Sequence, residues 1–222
     1  MSNPGIDEIH AFSVLLRNRG IRLDRDQWVQ LDVFLNELGL WNQKINLTGI
    51  SSRRRIMEEL LFDSILPTPF LPDEHTLLDI GSGAGFPAVP IKICKPRLKC
   101  QLIEPNKKKV RFLRQVIRLA RLCDIRVIEG RIEQVGDALI PREYDVVTSR
   151  AFLPLPALLP LCAAHVAPGG CMATFLGNRA DALVQETAEV MERYALVPFK
   201  RIAYPLPGKG TKREILILRR KA

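Results

Sequence analysis

The segment Asp79-Ile80-Gly81-Ser82-Gly83-Ala84-Gly85-Phe86-Pro87 closes a short apolar run with three glycines at alternate positions. Glycine at such positions lets a strand turn sharply and brings backbone N–H groups up to a ligand. The dinucleotide fingerprint needs a further glycine three residues after the second, and that place holds Phe86. A pyrophosphate is therefore disfavoured. The tighter spacing, with Asp79 before it, suits a ligand without phosphates, such as the amino-acid end of S-adenosylmethionine. An ordinary strand-to-helix turn would use the same residues, so the loop needs a second witness.

Glu104 supplies one. It ends the next apolar run, 99–104, and is followed by Pro105 and by Asn106, a residue suited to capping a helix. A carboxylate at the end of a second strand can accept hydrogen bonds from both ribose hydroxyls of a nucleoside. Asp79, Gly81, Gly83, Gly85 and Glu104 thus form a candidate nucleoside site. Nicotinamide enzymes share this pairing. Phe86 in place of a third glycine argues against them.

The third chemical feature is charge. The chain carries a formal +9, and residues 92–131 alone hold thirteen Lys or Arg against Glu104, Asp124 and Glu129. Lys107, Arg111, Arg114, Arg118 and Arg121 follow one another at four- and three-residue steps, which puts them on one stripe of a helix. Three lysines, Lys107 to Lys109, open that helix, where its dipole disfavours cations by ~0.3–1 kcal/mol each. Folding asks for no such arrangement, so phosphate contact is the favoured role over a solvated face, with Arg53, Arg54 and Arg55 as a second patch. Aromatic residues make up only 6% of the chain, which speaks against stacking on single strands and for shape recognition of folded RNA.

Absent chemistry narrows the reaction. None of the five cysteines follows a proline, as the nucleophile of pyrimidine-C5 methylation often does. Ser149-Arg150-Ala151-Phe152 stands where exocyclic-amine methylation often uses an Asn/Asp-Pro-Pro-aromatic loop. Guanine N7 already offers an unprotonated in-plane lone pair and needs no general base. Orientation alone can supply roughly 7–11 kcal/mol of barrier reduction. Arg150 could position guanine through O6 or grip a phosphate; equally, it could pair with Glu133 or cap a helix.

These residues need a scaffold. Residues 7–66 read as helices, one with Trp28, Leu31, Leu35, Leu38 and Trp41 on its apolar face and another over 53–66. Pro67, Pro69 and Pro72 form a linker. Candidate strands then follow at 76–80, 99–104, 125–129, 144–149, 170–176, 196–203 and 213–219, with helices between all but the last pair. The expected fold is α/β, a three-layer α/β/α sandwich with six parallel strands and an antiparallel seventh. Residues 1–72 are a helical extension and 73–222 the ligand-binding domain. Val110, Phe112, Leu113, Val116, Ile117, Leu119 and Ala120 should face the sheet from the basic helix. The uncharged stretch Ala151 to Asn178 is long enough to span a bilayer, but its prolines and a Gly169-Gly170 turn mark a buried helix and strand. Met1 to His10 lacks the apolar run of a signal peptide, and the cysteines read as reduced, mostly buried thiols. A cytoplasmic monomer is expected, with no membrane and no metal.

Several segments carry a more specific resemblance: the loop Asp79 to Pro90, the run Lys109 to Val116, Ser149-Arg150-Ala151-Phe152, Trp41-Asn42 with Asn46-Leu47-Thr48, and Asp63-Ser64. The chain resembles the bacterial 16S ribosomal RNA guanine-N7 methyltransferases, also called glucose-inhibited division protein B. The resemblance implies a Rossmann-like fold, S-adenosylmethionine as cofactor, and 16S ribosomal RNA or the small subunit as partner. It implies that Gly81 and Phe86 line the cofactor, Glu104 holds its ribose, Ile132 and Glu133 flank the adenine, and Arg150 faces cofactor and target base. Three positions depart from the family. Leu60 and Glu214 stand where histidines are usual, and Leu176 where a lysine is. If those groups handle RNA, the alternative is a non-catalytic RNA-binding relative that keeps the cofactor fold.

Overall fold

The computed structural model describes residues 4–135, 139, 141–150, 154–176, 180–207 and 211–222. Ala151 and Phe152, singled out by motif, lie outside them. Two helices open the chain, α1 (Pro4–Arg17) and α2 (Arg25–Asn42). Asp24 and Gln27 close a reciprocal capping box at the start of α2, which satisfies two otherwise orphaned N–H groups. The Gln27 amide also donates to the Ile93 carbonyl at 2.9 Å, fastening this helix to the end of α5 (Ala88–Cys94).

The expected helix over 53–66 is present but not uniform. α3 (Arg53–Ile56) runs through a π-helical turn (Met57–Leu61) into α4 (Phe62–Ile65). Beyond it come β1 (His75–Ile80), α5, β2 (Leu98–Glu104), α6 (Lys107–Leu119), β3 (Ile125–Glu129), α7 (Ile132–Val135) and β4 (Tyr144–Ser149). α8 (Leu155–Ala163), β5 (Val166–Leu176), α9 (Ala180–Glu186), α10 (Ala188–Arg193), β6 (Leu196–Pro205) and β7 (Lys212–Arg220) complete the chain.

The strands form one sheet in the order β3-β2-β1-β4-β5-β7-β6. β1 to β5 pair in parallel, whereas β7 is antiparallel to both β5 and β6. The expected antiparallel final strand is there, and it lies inside the sheet rather than at its edge. Each face has its own core. One joins Phe12, Leu16, Phe34 and Phe62 from the N-terminal helices to Leu77, Phe112 and Ile217. The other gathers Leu78, Val147, Leu159, Met172 and Leu218 under α7, α8 and α10.

Two local expectations are corrected. Gly169-Gly170 does not make the turn before the fifth strand: β5 begins at Val166, and the pair sits within it beside a register shift against β4. A Cβ on Gly170 would lie 2.9 Å from the Asp145 carbonyl oxygen, so glycine here permits close strand approach. Leu119 does not face the sheet from α6; it is exposed, and Phe112 packs instead on Phe34 and Trp41. Among the described residues no helix is long and apolar enough to cross a membrane. Cys94, Cys100, Cys123, Cys162 and Cys171 are free thiols, with Cys123 exposed.

Candidate active site

The carboxyl ends of β1, β2 and β4 open onto a cavity of about 830 Å³, a size that takes a nucleoside-sized ligand. Its floor is the glycine loop. Gly81 and Ser82 donate their N–H groups to the Ile103 carbonyl at 2.9 and 3.0 Å, which binds the loop to the end of β2. Gly83 donates to Glu104 Oε2 at 2.7 Å, and Asn106 to Oε1 at 2.8 Å. Each carboxylate oxygen is thus used once and keeps a lone pair for a ligand hydroxyl. The expected cap at Asn106 is made, its side chain accepting from Lys108 and Lys109.

Gly81, Gly83, Phe86, Glu104, Ile132, Glu133 and Arg150 all line this one cavity. Two other candidates do not. Gly85 has φ of 87°, and a Cβ there would meet Val89 and Leu113 side chains at 2.9 and 3.1 Å. It serves the packing of the loop on α5 and α6 and does not line the cavity. Asp79 is fully buried beneath the loop, accepting from Thr148 Oγ1 at 2.6 Å.

Burial pushes the Asp79 carboxyl up to about 7, partly opposed by the hydroxyls of Ser82 and Thr148. A carboxyl raised above its unfolded value contributes most to stability at low pH and loses that contribution as pH rises to the folded value. Between about pH 4 and 7 the wild type should therefore lose up to about 1.4 kcal/mol per pH unit relative to Asp79→Asn. Urea titrations of both proteins across that range measure the difference; parallel pH profiles would refute it.

Arg150 is placed otherwise than expected. Its guanidinium reaches neither Glu133 nor a helix cap. It donates to Asp63 Oδ2 at 2.8 Å and to the carbonyls of Leu60 and Glu59 at 3.1 and 3.0 Å. Arg213 converges on the same Asp63 oxygen at 2.5 Å and on the Glu59 carbonyl at 3.0 Å. The Glu59 and Leu60 carbonyls both belong to the π-helical turn, and that of Leu60 also accepts from Ser64 Oγ at 2.6 Å. Burial lowers the Arg150 pKa while Asp63 opposes the shift. Arg150 therefore contributes only its flank to the cavity.

The wall that sequence reasoning missed comes from the N-terminal segment: Asn46, Leu47, Thr48 and Gly49 of the loop after α2, and Leu60 of the π-helical turn. Asn42 shapes it. Its Oδ1 accepts from Leu47 and Thr48, and its amide donates to the Ile50 carbonyl at 2.8 Å. The signal was the Asn42 and Asn46-Leu47-Thr48 motif, which resemblance flagged without assigning a role. Lys109 and Arg131 also reach the cavity rim.

The cationic patches differ in kind. Arg53, Arg54 and Arg55 are each paired with an acid, Asp32, Glu58 and Glu59, at 2.6, 2.9 and 2.8 Å. On α6, Lys107, Arg111, Arg114 and Arg118 are exposed, and among the described residues their one ion pair, Lys107 with Glu129, is loose at 3.9 Å. Arg121 falls beyond the helix end, in a left-handed conformation with φ of 51°.

Residues 27–205 match the family model described as rRNA small subunit methyltransferase G. The chain belongs to that family. A relative named ribosomal RNA small subunit methyltransferase G, from Acetivibrio thermocellus, is 33% identical over 203 residues, covering 90% of this chain and 84% of its own. The protein of the same name from Chloroflexus aggregans is 45% identical over 142 residues, 63% of this chain and 60% of its own. Among solved structures, M. jannaschii TYW2 in complex with AdoMet superposes with a TM-score of 0.55 at 12% identity, covering 71% of each chain. Precorrin-6y C5,15-methyltransferase from Geobacter metallireducens gives 0.54 at 14% identity, over 79% of this chain and 92% of its own. At such identities these two share the fold, and the family membership rests on the sequence relatives. In the family's terms, the seven-stranded sheet with its glycine loop is the expected methyltransferase scaffold, and the N-terminal segment completes the cavity.

Proposed function

We propose that the cavity seats S-adenosylmethionine across the glycine loop and Glu104, and that its methyl group goes to N7 of a guanine in small-subunit ribosomal RNA. Family membership makes the chain an S-adenosylmethionine-dependent methyltransferase acting on ribosomal RNA. The residues present fit this cofactor. Glu104 would take the ribose hydroxyls, Ile132 and Glu133 the adenine, and the loop Gly81 to Gly83 the methionine end. The expected partners are ribosomal RNA or the small subunit, met by a cytoplasmic monomer.

One observation carries the choice of atom. The described lining of the cavity contains no cysteine and no histidine, its two carboxylates, Glu104 and Glu133, are the ones given to the cofactor's ribose and adenine, and Arg150 is spent on Asp63. The site thus favours a nucleophile that arrives without a proton. In such a step the guanine N7 lone pair forms the new carbon–nitrogen bond as the carbon–sulfur bond breaks. The electron pair returns to sulfur, and the positive charge passes to the purine. No proton moves, so alignment is the main task of the protein. Borohydride and aniline cleave RNA at N7-methylguanosine. Treated RNA from reactions with the purified protein should show one new scission in 16S RNA. Incorporated methyl label without scission would move the reaction to another atom, and cofactor binding without any label would favour the non-catalytic reading.

The exposed stripe of α6 is the surface proposed for RNA. Four neutralised phosphates imply a log–log salt slope of roughly −2.8 to −3.6. Replacing Arg114 and Arg118 with glutamine should flatten it by about 1.5 units while leaving cofactor affinity alone. An unchanged slope would return these side chains to the role of a solvated face.

A further inference from the structure

Asn46, in the loop after α2, lines the same cavity as the strand ends that carry the cofactor residues. Its Oδ1 accepts the Gly49 N–H at 2.8 Å. An N–H can only donate, so the atom facing it must be the amide oxygen, and the amide nitrogen points the other way. Nδ2 has no hydrogen-bond partner among the described residues. The loop is held rigidly behind it: Asn42 bonds three of its backbone groups, and Thr48 Oγ1 donates to the Ile50 carbonyl at 3.0 Å. The result is an exposed amide at the cavity mouth, held through its oxygen, whose outward end donates but cannot accept.

Resting on the guanine-N7 reading above, we propose that Asn46 Nδ2 selects and positions the target base by donating to guanine O6. The edge of guanine that carries N7 presents a second acceptor, O6, beside it; adenine presents an amino donor there. A donor-only amide accepts the first and rejects the second. Bonding O6 also leaves N7 free to face the methyl group. Arg150, the sequence's candidate for this contact, is withdrawn by Asp63 and two carbonyls. Asn46 touches neither the glycine loop's nor Glu104's hydrogen-bonding groups, so base reading and cofactor holding are separate.

The test uses Asn46→Asp, whose carboxylate still accepts the Gly49 N–H but offers O6 no donor. With the full-length protein and small-subunit RNA, kcat/KM should fall roughly 10- to 100-fold. S-adenosylmethionine affinity by calorimetry should stay within about twofold. The decisive comparison places 2-aminopurine, which keeps N7 and lacks O6, at the methylated position. Wild type should prefer guanine over 2-aminopurine by roughly tenfold or more, and Asn46→Asp should show no such preference. Each protein is compared with itself, so loss of folded material cannot imitate the result. If Asn46→Asp discriminates as wild type does, the assignment is overturned. If wild type yields no N7-methylguanosine in any RNA, the underlying reading fails instead.

Discussion

Glu104→Ala should weaken S-adenosylmethionine binding by roughly 100-fold or more, while the protein stays folded. Two contributions add. The ribose hydroxyls lose a charged acceptor, a bond worth about 1.5–3 kcal/mol. The Gly83 and Asn106 N–H groups lose the oxygens that hold them at 2.7 and 2.8 Å, so the loop itself loosens. Glu104→Gln should fall between the two proteins. Its amide oxygen can serve one of these N–H groups, but its NH2 would face the other as a second donor. Calorimetry with S-adenosylmethionine, and with NADH as a control, reads both effects. Near wild-type binding by Glu104→Ala would move the cofactor elsewhere in the cavity. Tight binding of NADH alone would overturn the methyltransferase reading of the site.

Glu104 was legible in the sequence because everything that defines it is local. It ends an apolar run, a proline and an asparagine cap follow, and one crossover separates it from the glycine loop. Strand positions and directions were legible for the same reason, since strands alternating with helices imply parallel neighbours and a loop-joined last pair implies an antiparallel one. Local reading failed where packing decides. The end of α6 carries no glycine; Arg121 takes the left-handed turn that glycine usually fills, so the periodicity ran one residue group too far. Gly85 matched a ligand loop by spacing, although its missing Cβ makes room for Val89 and Leu113. Leu60 was read as a departure from a motif, and only the fold reveals it as cavity wall.

Arg150 shows the limit most sharply, and its surroundings lead to the second large effect. Asp63 and Arg150 are 87 residues apart, and Asp63 and Arg213 are 150 apart. No spacing rule connects them. Asp63→Ala should lower the unfolding free energy by roughly 3–5 kcal/mol, because it strands two guanidinium groups in a poorly solvated site. The side chains of Arg150, Arg213 and Asp63 are only 12%, 28% and 2% exposed. The carbonyls of Glu59 and Leu60 would still hold both arginines near each other, now with nothing to neutralise them. Removing one of the two charges should therefore relieve part of the damage. Asp63→Ala combined with Arg213→Met is expected to be more stable than Asp63→Ala alone. Urea denaturation of wild type, both single variants and the double variant gives the coupling directly. A cost below about 1 kcal/mol for Asp63→Ala would place the pair among ordinary surface ion pairs. Arg150 would then be free to turn into the cavity and compete with Asn46 for the base.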